Sequence, residues 1–319
     1  MKKRMLLKLW DNVHLAFLLF LGISLLMPTI SKSQSPSDAI MMDDKRICVA
    51  AMYGSDKWNE YWEGTLLREN KNVTPFTRTT FGLMIATGLT EKINLLITLP
   101  YVKTESSGGF LKPAKGLQDL GAWIKAEAFK KHLGSGDFTT HAVIGFTTPM
   151  SNYLADYAPF SLGLGCSELQ GRLIFQYLLD MGIYARVTGA YFARGTATIE
   201  RDYYYADKGY YSDKVDVPNA THFTGTLGSW FFDRKLKVEG SYELFNTVKG
   251  HDIRRQDAGF PSNKMEANSV NFGAQYFPLA GLGVIAQYSQ VLDGRNVGKS
   301  SGFLVGLTYQ FGITKSQND

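Results

Sequence analysis

The sequence predicts an all-β protein: a transmembrane, antiparallel, up-and-down β-barrel of about twelve strands. Three observations carry the prediction. The N-terminus reads as an export signal, apolar and polar residues alternate with period two along the rest of the chain, and tight turns alternate with long loops.

The N-terminus comes first in the argument because it sets the compartment. Lys2, Lys3, Arg4 and Lys8 form a basic head, and an apolar core runs from Leu15 to Met27. Ser31 and Ser33 then supply the small residues that a signal peptidase requires before Gln34. The apolar core is shorter than the ~20 residues of a membrane-spanning helix. Residues 1–33 are therefore expected to be a cleaved signal peptide and 34–319 the barrel. No cysteine stands directly after the apolar core, which argues against a lipoprotein.

Cleavage also changes the electrostatics. The whole chain carries a net charge of +5, but residues 34–319 hold 29 basic and 28 acidic residues. A basic patch that would hold nucleic acid is thus absent from the body of the protein, and nucleic acid is excluded as a partner. The 32 glycines and 17 tyrosines favour an all-β chain, since tyrosine suits strands and glycine suits turns and crowded walls. Cys48 and Cys166 fall in strands distant in order and are not expected to form a disulfide.

The strands follow in order from their outward rows: Ile47 to Tyr53, Phe81 to Leu89, Ile93 to Tyr101, Leu120 to Ala126, Ala142 to Phe146, and Leu173 to Leu179. The second half continues with Val187 and Tyr191, then Phe223 to Phe231, Val238 to Leu244, Val270 to Tyr276, Leu282 to Tyr288, and Phe303 to Phe311. In these rows apolar residues recur at every second position, with polar or small residues such as Asn94, Thr98, Gly302, Gly306 and Gln310 between them. Tight turns are expected at Thr90–Lys92, Asp180–Gly182, Asp233–Lys235 and Pro278–Gly281. Long connections are expected at 55–75, 105–116, 151–160, 195–218, 251–263 and 293–299. Short turns at one end and long loops at the other describe an outer-membrane barrel with periplasmic turns. Tyr53, Tyr101, Tyr276 and Phe311 suit its interfacial girdles.

A soluble sandwich uses the same alternation, so periodicity alone does not choose between them. Loop asymmetry, strand length and the export signal favour the barrel. A sheet in lipid must also close, because an open edge leaves backbone groups unpaired in hydrocarbon.

Parity then assigns charged residues to the interior: Arg46, Arg78, Lys125, Glu127, His141, Arg172, Arg186, Arg194, Lys237, Glu239 and Glu243. Such residues line a pore or fill a salt-bridged lumen; with both signs present, ion pairs are expected. The tyrosines at 203–205 and 210–211 lie in the longest loop, where they either meet an aromatic or sugar ligand or pack on one another. Self-packing is the expected outcome. No nucleophile stands at an evident partnering position to a histidine, so catalysis is not expected. No metal-ligand spacing or phosphate-cradling glycine motif occurs, so neither metal nor cofactor is expected.

Leu99-Pro100-Tyr101-Val102, a loop, and then Gly116-Leu117-Gln118-Asp119-Leu120-Gly121 resemble the outer-membrane family of the meta-pathway of phenol degradation. Gly145-Phe146-Thr147-Thr148-Pro149 is similar to that family's following strand; beyond residues 80–160 only the rhythm of strands and turns agrees. Gln118 departs from the pattern, standing where the family has a second glycine. The resemblance implies a barrel that passes or binds small hydrophobic, often aromatic, molecules. It also implies that Asp119 faces inward at the outer end of its strand together with Trp123, where the two gate the mouth or hold the loop.

The expected role is accordingly a passive outer-membrane channel for small, hydrophobic or aromatic solutes, with mouth access set by loops 105–116 and 195–218. Its partners would be the lipid bilayer, the solute and the barrel-assembly machinery. The alternatives are a non-conducting structural or adhesive barrel and, more remotely, a lipid-directed enzyme using His141.

Overall fold

The structure, a computed structural model, describes residues 34–206, 208–253 and 259–312. The segment assigned to the signal, 1–33, and the last residues, 313–319, lie outside these. Twelve long antiparallel strands form the wall: β1 (Arg46–Trp58), β2 (Phe76–Thr90), β3 (Ile93–Ser106), β4 (Asp119–Leu133), β5 (Gly136–Pro149) and β6 (Glu168–Leu179). They continue with β7 (Ile183–Arg194), β8 (Ala220–Phe231), β9 (Leu236–Thr247), β10 (Glu266–Leu279), β11 (Leu282–Arg295) and β12 (Ser301–Gly312). Each pairs with its neighbour in sequence, and β1 pairs with β12 from Arg46↔Gly312 to Lys57↔Ser301. The sheet is closed, so the wall has no edge to leave unpaired in lipid.

No helix among the described residues is long and apolar enough to cross a membrane; the strands do so. At 12 to 15 residues each they exceed the ~9–11 that a tilted crossing strand needs. On β11 the surplus lies at the loop end, where Arg295 still pairs with Glu266. This explains why the last outer connection is only 296–300, whereas polarity alone suggested 293–299: β11 stays paired through Arg295. The final turn is likewise tighter than expected, because β10 runs to Leu279 before Gly281 takes a φ of 81°.

Outward rows are apolar throughout: Phe81, Leu83 and Ile85 on β2, Leu169, Leu173 and Phe175 on β6, Phe303, Val305 and Leu307 on β12 are all exposed. Toward the loop end the rings cluster, with Tyr53 lying 5.1 Å from Phe81 and 6.0 Å from Phe303. An apolar belt facing out and a polar set facing in reverse the arrangement of a water-soluble protein.

β4 carries a bulge at its outer end. Leu117 pairs with Tyr101 and Gly121 with Thr98, which places one extra residue on the later strand. Gln118 sits in that bulge, its backbone N–H donating to the Pro100 carbonyl at 2.9 Å and its carbonyl accepting from Met150 at 2.8 Å. The bulky amide of Gln118 is therefore accommodated by a break in the ladder.

Candidate functional site: a lumen filled by the N-terminal segment

The inner wall is built from the residues that parity placed there. Lys125, His141 and Lys237 are 0, 1 and 2% exposed, and Arg186 is buried beside them. An ammonium in such surroundings costs several kcal/mol unless hydrogen-bonded and paired, roughly the cost of desolvating one ion. Lys125, Lys237 and Arg186 have each found partners.

On the β7–β9 side, Glu239 accepts from three groups: Tyr184 Oη at 2.6 Å, Arg186 at 3.0 Å and Lys237 Nζ at 3.1 Å. Higher up, Arg194 donates to Glu168 at 2.7 Å and to the Pro218 carbonyl at 3.2 Å, with Phe192 and Phe245 against its guanidinium. His222 lies 3.2 Å from Glu243. Arg172 faces inward among the same charges. Arg46 and Glu127 stand at the periplasmic mouth: Arg46 3.7 Å from Asp43, and Glu127 on a cavity of about 810 Å³ opening there.

Lys125 is different. Its three hydrogen-bond acceptors are Asp38 Oδ1 at 2.8 Å, the Ser35 carbonyl at 2.9 Å and the Ile40 carbonyl at 2.9 Å. All belong to the stretch that precedes β1. Residues 34–45 thread up into the barrel and fill its middle. Asp38 folds the stretch on itself by accepting from the backbone of Ser35 at 2.5 Å and of Ile40 at 2.9 Å. Gln34, 1% exposed, meets Asn94 on β3 at 3.0 Å. Met42, wholly buried, sits in an apolar seat of Cys48, Ala86, Leu96, Trp123, Val143 and Ile174. Where the segment leaves the barrel, it crosses Gly88 so closely that a Cβ there would stand 2.1 Å from the Asp43 carbonyl.

The sequence leaves open whether the segment before Arg46 enters the lumen. Its signal was present: an acid in Ser35-Pro36-Ser37-Asp38 next to a chain whose interior holds more cations than acids to pair them.

The outer mouth is closed by a different loop from those expected. Residues 150–167 fold inward, and Arg78 donates to the Leu162 carbonyl at 2.7 Å while Thr104 Oγ1 donates to the Phe160 carbonyl at 2.6 Å. Phe160 is wholly buried, 5.4 Å from Phe76. Tyr153 Oη donates to Asp119 at 2.6 Å and accepts from the Gly165 backbone at 3.2 Å. Asp119 thus holds the loop. Trp123 is not its neighbour in a gate: its ring lies flat between Gly121 and Gly145, where added Cβ atoms would each stand 2.0 Å from it. Loop 195–219 leans on the same structure through Ala197 and Val217, which pack with Ala155 and Cys166. Cys48 and Cys166 are both free. Its tyrosines pack on one another, Tyr204 stacking on Tyr210 at 5.0 Å and lying 5.4 Å from Phe260.

His141 faces the lumen, away from lipid, and neither ring nitrogen has a hydrogen-bond partner. Among the described residues no group of side chains is arranged to hold a metal ion.

Among solved structures, the fold is similar to that of the COG4313 outer membrane channel from Pseudomonas putida F1. The TM-score is 0.67 at 14% identity, over 88% of this chain and 100% of that one. The beta domain of the Bordetella autotransporter Brka gives a TM-score of 0.47 at 14% identity, over 84% of this chain and 100% of that one. No family model matches the chain, and no curated protein does. At these identities the likeness is one of fold: a closed outer-membrane barrel.

Proposed function

We propose that this protein is an outer-membrane channel for the passive passage of small, hydrophobic or aromatic solutes, and that residues 34–45 hold it shut. The observation that carries the reading is how the lumen is filled. A separate segment occupies it, tied by one buried ion pair and one methionine seat. Space remains on both sides, about 810 Å³ at the periplasmic mouth and about 360 Å³ beside the segment. A filler that must be permanent is better built from wall side chains, whereas one that must leave is better built from a tethered strap.

The short motifs around Pro100, Gly116 and Pro149 support the solute class through their family resemblance. The apolar belt supports export by residues 1–33 and assembly into the outer membrane by the barrel-assembly machinery, which would read either Phe311, internal to the sequence, or the whole last strand. The inward residues Arg78, Asp119, Trp123, Lys125, Glu127, His141, Arg186, Arg194, Glu239 and Glu243 would line the path. Of these, Arg78 and Asp119 act by fixing loop 150–167, and Lys125 by fixing the strap.

Planar-bilayer recording tests the reading. The intact chain is expected to be closed for most of the time, and a variant lacking residues 34–41 is expected to give discrete current steps. If both are silent, the protein is a filled structural barrel that displays its loops.

A further inference from the structure

The strap's carboxylate occupies a place that the wall has prepared for an anion. Lys125 points all its donors at residues 35–40 and takes no acceptor from the wall. Lys237 and Arg186 share the single carboxylate of Glu239, so one positive charge of that trio is left over, and both also act on Asp38. Without the strap, the wall would present a bare ammonium next to a second cationic centre at the same depth. A charge in that setting demands a counter-ion.

Beside Asp38 lies the cavity of about 360 Å³, a volume in the range of small-molecule pockets. Its walls are divided. Arg186 and Lys237 flank one side together with Glu239, which pairs with both, and Glu243; Met52, Met84, Ile285 and Leu304 supply an apolar one. With Asp38 gone, a neutral hydrophobic solute would leave Lys125 and the charge that Glu239 does not balance unanswered, and a small inorganic anion would leave the apolar side uncovered. A carboxylate on an apolar or aromatic body answers both.

We propose that Lys125, with Arg186 and Lys237 behind it, forms a binding subsite for small organic carboxylates, and that Asp38 holds this subsite as an internal stand-in for the solute. The inference rests on the channel reading and sharpens its solute class. It also gives the strap a reason to leave, since a solute carboxylate competes for the ammonium that holds it.

The test is a fluorine NMR titration of the detergent-solubilised chain with 4-fluorobenzoate, using 4-fluorobenzyl alcohol as the neutral counterpart and inorganic phosphate as competitor. Removing residues 34–41 is expected to tighten 4-fluorobenzoate binding by about tenfold or more, the worth of a charge-assisted hydrogen bond, and to leave the alcohol unchanged. Adding Lys125→Gln to the shortened chain is expected to abolish that gain. Should the shortened chain fail to fold, Asp38→Asn in the full chain is expected to give the same preference for 4-fluorobenzoate. Equal gains for acid and alcohol, a gain that survives Lys125→Gln, or displacement by phosphate at concentrations matching 4-fluorobenzoate each overturn the proposal. Binding is read without current. A chain that binds 4-fluorobenzoate but never conducts keeps the subsite and loses the channel, and current steps without carboxylate preference do the reverse.

Discussion

Asp38, on the segment inside the barrel, and Lys125, on the wall strand β4, are joined at 2.8 Å with side chains 4 and 0% exposed. Neither ion has another opposite charge at bonding distance among the described residues. The pair therefore links strap to wall in a way that a surface pair, worth little in water, does not. Breaking a buried pair from one side costs ~3–5 kcal/mol because the survivor stays desolvated. Here the survivor escapes that cost when the strap leaves and water enters.

From this follows the first prediction. Asp38→Asn or Lys125→Gln should raise the open fraction in bilayer recordings by roughly ten- to a hundredfold, less than the full pair energy because opening rehydrates the remaining ion. The double variant should open little more than either single one, since both remove the same contact. Fully additive effects would show that the two residues act separately.

Arg186 and Arg194 lie on one strand and look equivalent in the sequence, but the structure separates them. Arg194 is consumed by Glu168, the Pro218 carbonyl and two phenylalanine rings. Arg186 shares its carboxylate with Lys237 and borders the inner cavity. In the chain lacking residues 34–41, Arg186→Gln should move the reversal potential toward cations, while Arg194→Gln should leave it unchanged and instead loosen loop 195–219. A shift of the same size for both would place them in one field.

The wall was legible because lipid on one side and an enclosed interior on the other impose period two on the strands: Ile93 and Ile97 face out, while Asn94 and Leu96 are buried inside, Leu96 in the methionine seat. The strap was not legible for the opposite reason. Residues 34–45 obey no period; what fixes them is Lys125, some ninety positions later, and a methionine seat drawn from six strands. Loop 150–167 was missed likewise, because its inward fold is set by Arg78 and Thr104, whose parity marks them only as interior. Asp119 was legible as inward but not as a clamp on Tyr153, since a tyrosine in a loop gives no sign of where its hydroxyl will reach.

Trp123 gives the third prediction. Its indole lies between Gly121 and Gly145 and forms one side of the Met42 seat. A methyl group at residue 145 would stand 2.0 Å from the ring, so Gly145→Ala must displace it. Overpacking of this kind costs ~1–3 kcal/mol, and the displaced ring also spoils the seat. The variant should unfold at lower urea concentration with altered tryptophan emission, and it should open more often. Gly171→Ala, at a position with free space around it, is the matched control and should behave as the parent.

The outer loops hold a fourth test, in which pH is the variable. Arg295, at the top of β11, grips Asp252 of the loop after β9 with both guanidinium arms, at 2.7 and 2.5 Å, and Asn296 adds a third donor at 2.9 Å. The Arg295 hydrogen bonds hold the Asp252 carboxyl below the ordinary carboxylate range. A depressed acid contributes its stabilisation fully above the unfolded value of about 3.9 and loses it only as pH falls through the lower folded value. The loop after β9 should therefore keep its hydrogen-exchange protection at residues 248–253 down to about pH 4 and lose it only in stronger acid. Arg295→Gln should remove that protection at neutral pH, and in this variant lowering the pH should change little further. If protection in the parent were already lost near pH 6, the clamp would depend on a group other than Asp252.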